Sequence, residues 1–253
     1  VAVPLFIFMG VLLERSGIAE ELLETMALLF RRLRGGLAIS VVIVGAILAA
    51  TTGIIAATVV TMGLISLPVM LRWGYKPELA AGTISASGTL CQIIPPSIAF
   101  VILGDIMGVS VGELFAGALI PGVLLALFYI LYIILYAFVR PSVAPCLSEE
   151  EGGSMSLKAL GPRVAKALLP PFFLILAVLG SIFFGIASPT ESAGMGAIGA
   201  IILTFAKRRM SLDILKQVMV STTRLCSMAF MILLGAAAFG LVFRGLGGDS
   251  AVK

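Results

Sequence analysis

The chain has 253 residues, of which 60% are hydrophobic and 12% charged, with a formal net charge of +4 and no histidine. Soluble domains carry about a quarter charged residues, so this composition excludes an ordinary soluble domain. The lack of histidine removes imidazole metal centres and histidine-based triads or general bases from the chain.

The charges cluster and leave seven uncharged stretches: Val1–Leu13, Leu37–Leu71, Leu79–Gly104, Leu114–Val139, Ala167–Thr190, Ser192–Ala206 and Leu225–Phe243. A bilayer core of ~30 Å needs ~20 apolar residues of helix, and most of these stretches meet that length. The expected fold is therefore an all-α polytopic membrane protein. Basic residues sit in short segments beside the apolar ones, the positive-inside pattern. Aromatic and basic residues do not interleave as a base-stacking surface requires, so nucleic acid is not an expected partner. Cys91, Cys146 and Cys226 are scattered, without metal-ligand spacing.

In chain order, Val1–Leu13 reads as the end of a transmembrane helix. The sequence opens inside this apolar run without an initiator methionine, and the whole reads as an internal fragment. Glu14–Arg34 follows with one apolar stripe, Ile18, Leu22, Met26, Leu29 and Leu33. Glu20, Glu21 and Glu24 come early, and Arg31, Arg32 and Arg34 late, which complements the helix dipole. This pattern predicts an interfacial helix lying along the membrane surface.

Leu37–Leu71 holds 35 uncharged residues, about 52 Å as one helix. That is too long for one crossing, and Thr51-Thr52-Gly53 interrupts it near the middle. Arginines precede it and Arg72 and Lys76 follow, so both flanks read as cytoplasmic. A re-entrant helical hairpin satisfies length, break and charge. Two closely packed full crossings satisfy the charge bias as well and stay open. Leu79–Gly104 contains Gly82, Gly88 and the pair Pro95-Pro96, which removes two N–H donors and pushes Ile94 out of helical conformation. A broken transmembrane helix, unwound near Gly88–Ser97, is expected, its backbone buried in protein or lining a cavity.

Leu114–Val139 and Ala167–Thr190 read as ordinary spans, joined by a polar linker with Glu149–Glu151 and Gly152-Gly153. Ser188-Pro189-Thr190-Glu191 fits a capping box with proline at the first helical position, so Glu191 reads as a cap rather than an acid catalyst. Ser211–Arg224 is weakly amphipathic, and Leu225–Phe243 spans again. Phe230–Gly235 echoes Phe6–Gly10, which suggests a second repeat that starts before the sequence stops.

The resemblance to a known family rests on Gly82-Thr83-Ile84-Ser85-Ala86-Ser87-Gly88-Thr89 and Ile93-Ile94-Pro95-Pro96-Ser97. Leu67–Met70, Gly74-Tyr75, Phe115–Gly122 and Gly185–Glu191 support it. Over essentially the whole chain the sequence resembles the large membrane subunit of tripartite ATP-independent periplasmic (TRAP) transporters, the DctM-like family. It departs from the family pattern at Cys91 and Ala57. The resemblance implies an elevator-type secondary transporter of inverted repeats in the bacterial inner membrane, the second repeat truncated before its hairpin. It also implies a periplasmic substrate-binding protein, a small DctQ-like membrane subunit, an organic acid as substrate and a sodium gradient as driving force.

On that basis residues 1–36 comprise the end of a transmembrane helix and an interfacial arm. Residues 37–107 belong to the transport domain, with the hairpin at 37–71 and the broken helix at 79–107. Residues 108–140 form a transmembrane helix, 141–166 a cytoplasmic linker, and 167–253 the opening of the second repeat. Unwound carbonyls and the hydroxyls of Thr51, Thr52, Thr89 and Ser97 can ligate a hard cation. With Gly53, Gly88 and Pro95 they make up the expected sodium site, and Ser85, Ser87 and Pro96 the expected substrate contacts. No carboxylate, histidine or lysine falls between Glu78 and Asp105, which favours sodium over a proton relay. No cofactor is expected beyond the coupling ion. A sodium–dicarboxylate symporter of another elevator family is the first competing reading. A membrane-embedded enzyme is a remote one, since neither Asp105 nor Glu191 has a partner carboxylate at a useful spacing. A purely structural subunit would leave the polar breaks unexplained.

Overall fold

The computed structural model describes residues 2–30, 33–53, 55–146 and 157–246. Arg31, Arg32, the acidic stretch 149–151 with its glycines, and the residues after 246 lie outside the described ones. Ten α-helices and no strand occur among the described residues.

Helix α1 (Ala2–Arg15) buries Phe6, Ile7, Met9, Leu12 and Leu13, and packs against α3, α9 and α10, defined below. It ends where Gly17 adopts φ 68°, and α2 (Ile18–Leu29) leaves at a bend of 61°. The apolar stripe of α2 is buried at Ile18, Leu22 and Met26, but Leu29 and Leu33 are 37% and 52% exposed. The helix stops at Leu29, so the last two stripe positions leave the packed face. Lys207 pairs with Glu21 at 2.7 Å, and Arg209 donates to the Ser16 carbonyl at 3.2 Å. These contacts tie the segment after α9 to the bend.

Helices α3 (Gly36–Thr52) and α4 (Ile55–Arg72) fold back on one another at Gly53. Their outer ends lie together, because the Gly35 N–H donates to Ala144 at 3.2 Å and the Lys76 N–H to Val143 at 3.1 Å. Gly35 offers no capping side chain. Instead the Leu37 N–H, one of the orphan donors of a first turn, donates to the Tyr75 hydroxyl at 3.3 Å. Burial pushes that hydroxyl up to about 12, so it stays protonated at neutral pH. Tyr75→Phe would leave a buried N–H without its acceptor, a loss of about 1–3 kcal/mol. A lower thermal midpoint for the purified protein is the expected outcome; an unchanged midpoint would mean that this bond contributes nothing. On the other side of the hairpin, the Thr61 hydroxyl of α4 donates to the Glu14 carboxylate at the end of α1.

Helix α5 (Pro77–Thr89) passes through a 3-10 turn (Leu90–Gln92) and an irregular stretch into α6 (Ile98–Met107). Helix α7 (Val111–Val139) is 29 residues long and gives the vertical scale. A methyl built on Gly35 would lie 3.0 Å from Ile133 and 3.3 Å from Ala137, near the C-terminal end of α7. The break comes next along it, since Gly122 of α7 faces Ile93 and Ile94. Gly104 of α6 then meets Val111 and Leu114 at the other end. At 1.5 Å per residue the break lies about 22 Å from the first level and about 16 Å from the last.

Helix α8 (Leu157–Phe183) starts within the segment read as linker, so residues 157–166 are helical. Helix α9 (Pro189–Ala206) begins with the expected capping box: the Ser188 N–H donates to Glu191 Oε2 at 2.7 Å and the Glu191 N–H to Ser188 Oγ at 3.3 Å. Helix α10 (Leu212–Gly245) runs unbroken for 34 residues, where the sequence suggested an amphipathic piece and then a span. No glycine or proline lies between Leu212 and Leu234, and Arg224 alone does not end a helix. By length and composition, α7, Val164–Phe183 and α10 can each cross a membrane, and the bent pair of α1 and α2 makes a fourth if it counts as one span. Their outer faces carry exposed Phe128, Phe138, Phe173, Phe239 and Leu241. Contiguous apolar surface of this extent marks contact with lipid or with other protein.

Candidate functional site

The turn of the hairpin is set by glycine. Gly53 has φ 60° and its N–H returns to the Ala49 carbonyl at 3.4 Å, the left-handed ending that only glycine adopts freely. Thr51 and Thr52 are the last two residues of α3; their side chains lie outside the described ones. A methyl on Gly53 would sit 3.0 Å from Ile98 Cγ1 and 3.2 Å from the Ile98 backbone nitrogen. The hairpin tip therefore rests on the first residue of α6, and the two breaks seen in the sequence meet.

On the α6 side, Ser97 is the N-cap residue, extended at φ −110° and ψ 134°, fully buried, and makes no capping bond. Its hydroxyl has no partner among the described residues. Pro95 and Pro96 are buried and joined by a cis peptide bond. In a continuing helix they would donate to the carbonyls of Cys91 and Gln92, and proline has no N–H to give. The N–H groups of Ile93 and Ile94 both turn back to the Leu90 carbonyl, at 3.0 and 2.8 Å. The first turn of α6 adds N–H groups that no intrahelical acceptor can reach. A buried hydroxyl, carbonyls deprived of helical donors and a helix N-terminus thus follow closely along the chain up to Ile98, which meets the tip. Buried polar groups of this kind are normally satisfied, and a bound ion or solute satisfies several at once.

The remaining expected residues divide by position. Gly88 is buried and faces Val59 of α4. Thr89 is exposed and its hydroxyl donates to the Ala86 carbonyl at 2.7 Å. Ser87 is fully buried, donates to Ile84 at 3.0 Å and lies against Gly45 of α3, where a methyl would come within 2.7 Å of its Cβ. Ser85 is exposed on α5. Gly53 thus meets the start of α6 just after Pro95, Pro96 and Ser97, whereas Ser87 and Gly88 sit about two turns back, where α5 wedges between the hairpin arms. Two participants, Gln92 and Thr58, escaped the sequence reading. Gln92, half-buried, lines a cavity of about 440 Å³ with Gly53 and Ile98. The buried Cys91 hydrogen-bonds the side chain of Thr58 on α4, which fastens the break to the second arm. A lone amide side chain in an uncharged stretch just ahead of two prolines was the available signal for the first; the second depends on tertiary contact.

A helical hairpin docked on an interrupted helix, inside a bundle with apolar outer faces, is the architecture of a membrane protein that handles ions or solutes at a chain break. The chain belongs to the DctM family: residues 1–253 match the family described as the tripartite ATP-independent periplasmic transporter, DctM component. It is thus a membrane transporter component and not an enzyme. It is similar to the C4-dicarboxylate TRAP transporter large permease protein DctM of Pseudomonas aeruginosa, 32% identical over 95% of this chain and 55% of that protein. The protein of the same description from Vibrio cholerae is 35% identical over 78% of this chain and 42% of its own length. The ectoine TRAP transporter large permease protein TeaC of Halomonas elongata is 33% identical over 81% of this chain and 46% of its own. The chain spans about half the length of these curated relatives.

Proposed function

We propose that this chain forms the first hairpin and broken helix of a TRAP large permease that imports a small organic acid, driven by sodium, across the bacterial inner membrane. The complete protein works as an elevator built from inverted repeats. It receives substrate from a periplasmic binding protein and acts beside a small membrane subunit. In this reading α3–α4 is re-entrant. Its tip lies at the level of the α5–α6 break, more than half-way along α7, and α6 extends beyond it toward the far end. The C4-dicarboxylates in the names of two relatives favour a carboxylate substrate.

The observation that carries the proposal is the buried Ser97 hydroxyl, without a partner among the described residues, next in the chain to Ile98, which meets Gly53 at the tip. A monovalent cation held there by Ser97, Thr52 and the freed carbonyls needs no buried carboxylate, and none lies between Glu78 and Asp105. Ser85 and the backbone at Pro96 are proposed to face the substrate. Ser87 serves helix packing in the present arrangement. In the complete transporter, Ser97→Ala and Thr52→Val should each raise the sodium concentration for half-maximal uptake about ten- to a hundredfold. That is the loss of one bond to a charged group, ~1.5–3 kcal/mol. Wild-type sodium dependence in both variants, at matched expression, would refute the site.

A further inference from the structure

A second cavity, of about 520 Å³, opens between α5 and α7 over α3, away from the hairpin tip. One wall consists of Tyr129, Tyr132 and Tyr136, at positions i, i+3 and i+7 and therefore on one face of α7. The Tyr132 and Tyr136 rings stack with centroids 5.7 Å apart. The facing wall on α5 carries Glu78, Gly82 and Ala86, one turn apart, a carboxylate above two small residues. A methyl on Gly82 would meet nothing within 4 Å. The slot is about 12 Å tall from Glu78 to Ala86.

Its mouth lies at the end of the bundle where α3 begins, α4 and α7 finish and α5 starts. Exposed Arg34, Arg72, Lys76 and Arg140 gather at that end. None of the four has an ion-pair partner among the described residues. In a membrane transporter such a basic rim marks the cytoplasmic leaflet. Three features therefore meet: cations at the rim, a single carboxylate beside aromatic faces, and an apolar slot below. They complement the phosphate, the ammonium group and the first acyl segment of one molecule.

We propose that this cleft binds a phospholipid with a primary ammonium headgroup, of the phosphatidylethanolamine type. Its ammonium lies between Glu78 and the tyrosine faces, a cation–π arrangement. Its phosphate turns to Lys76 and Arg140, and a chain enters beside Gly82 and Ala86. Tyrosines that merely anchor α7 in the interface would need neither the carboxylate opposite them nor the empty slot. A purely anionic lipid would place its charge against Glu78.

The test is native mass spectrometry of the complete detergent-purified transporter with equal amounts of phosphatidylethanolamine and phosphatidylglycerol of identical chains. At least about fivefold preference for the former is expected in the wild type. Glu78→Gln, which keeps size, should bring the ratio close to one. Gly82→Leu, a good helix former at an open position, should remove the retained lipid without lowering thermal stability. Equal retention of both lipids in the wild type overturns the proposal, as does an unchanged preference in both variants. A photo-crosslinker at position 82 that captures a protein segment instead of lipid overturns it too.

Discussion

Valine in place of Gly53 is expected to lower sodium-driven uptake by the complete transporter about a hundredfold, with membrane insertion unchanged. The backbone there sits at φ 60°, and a β-branched residue in the left-handed region loses about 1–2 kcal/mol. The added Cβ would also lie 3.2 Å from the Ile98 backbone nitrogen. A backbone atom cannot swing aside as the end of a side chain can, so the tip must lift from the start of α6. Together the two effects approach about 3 kcal/mol, or about two orders of magnitude in the population of the docked tip. Gly63 supplies the control on the same hairpin. A methyl there meets nothing within 4 Å, and alanine improves helix propensity by about 1 kcal/mol. Gly63→Ala should leave uptake unchanged. Normal uptake in Gly53→Val would mean that the tip contact does not serve transport.

Both interruptions were legible from sequence, because each rests on local chemistry. Thr51-Thr52-Gly53 places a glycine near the middle of the 35-residue stretch, where a left-handed residue ends α3, and Pro95-Pro96 removes two donors in succession. Yet adjacent prolines alone do not specify a break. Pro170 and Pro171 lie inside the continuous α8. What differs at Pro95 is the company: a 3-10 turn ahead, the tip of another element above, and Gly122 of α7 alongside. Those are tertiary facts, absent from any local pattern.

The misjudged boundaries have the same origin. The stripe from Ile18 to Leu33 is regular as written, but the helix stops at Leu29 and its last two members face outward. Arg224 looked like a border between a weakly amphipathic piece and a span, although a single arginine near a helix midpoint breaks no hydrogen bond, and α10 runs through it. Among the site residues, the serines of Gly82–Thr89 could not be sorted by sequence. Whether a serine faces a solute or a neighbouring helix depends on which side of α5 the hairpin takes. Ser87 faces Gly45, Ser85 faces outward, and only the packed structure separates them.

That wedge of α5 between the hairpin arms leads to the last expected result. Gly45 of α3 meets Ser87 and, one residue on, Gly88 meets Val59 of α4, so α5 touches both arms from consecutive positions, each contact having a glycine on one side. A methyl on Gly88 would lie 2.3 Å from Val59 Cγ2, 3.3 Å from its Cβ and 3.2 Å from its Cα. Overpacking a buried contact of this kind loses about 1–3 kcal/mol, so Gly88→Ala should lower the thermal midpoint and Gly88→Val should impair accumulation in the membrane. The clash has one removable part. Val59→Ala deletes the nearest atom but leaves the Cα and Cβ contacts, so the Gly88→Ala, Val59→Ala double variant should recover part of the lost stability and not all. In a double-mutant cycle this appears as a coupling of about 1 kcal/mol of favourable sign. Strict additivity of the two substitutions would show that Gly88 and Val59 are not in contact, and that α5 does not sit against the second arm of the hairpin.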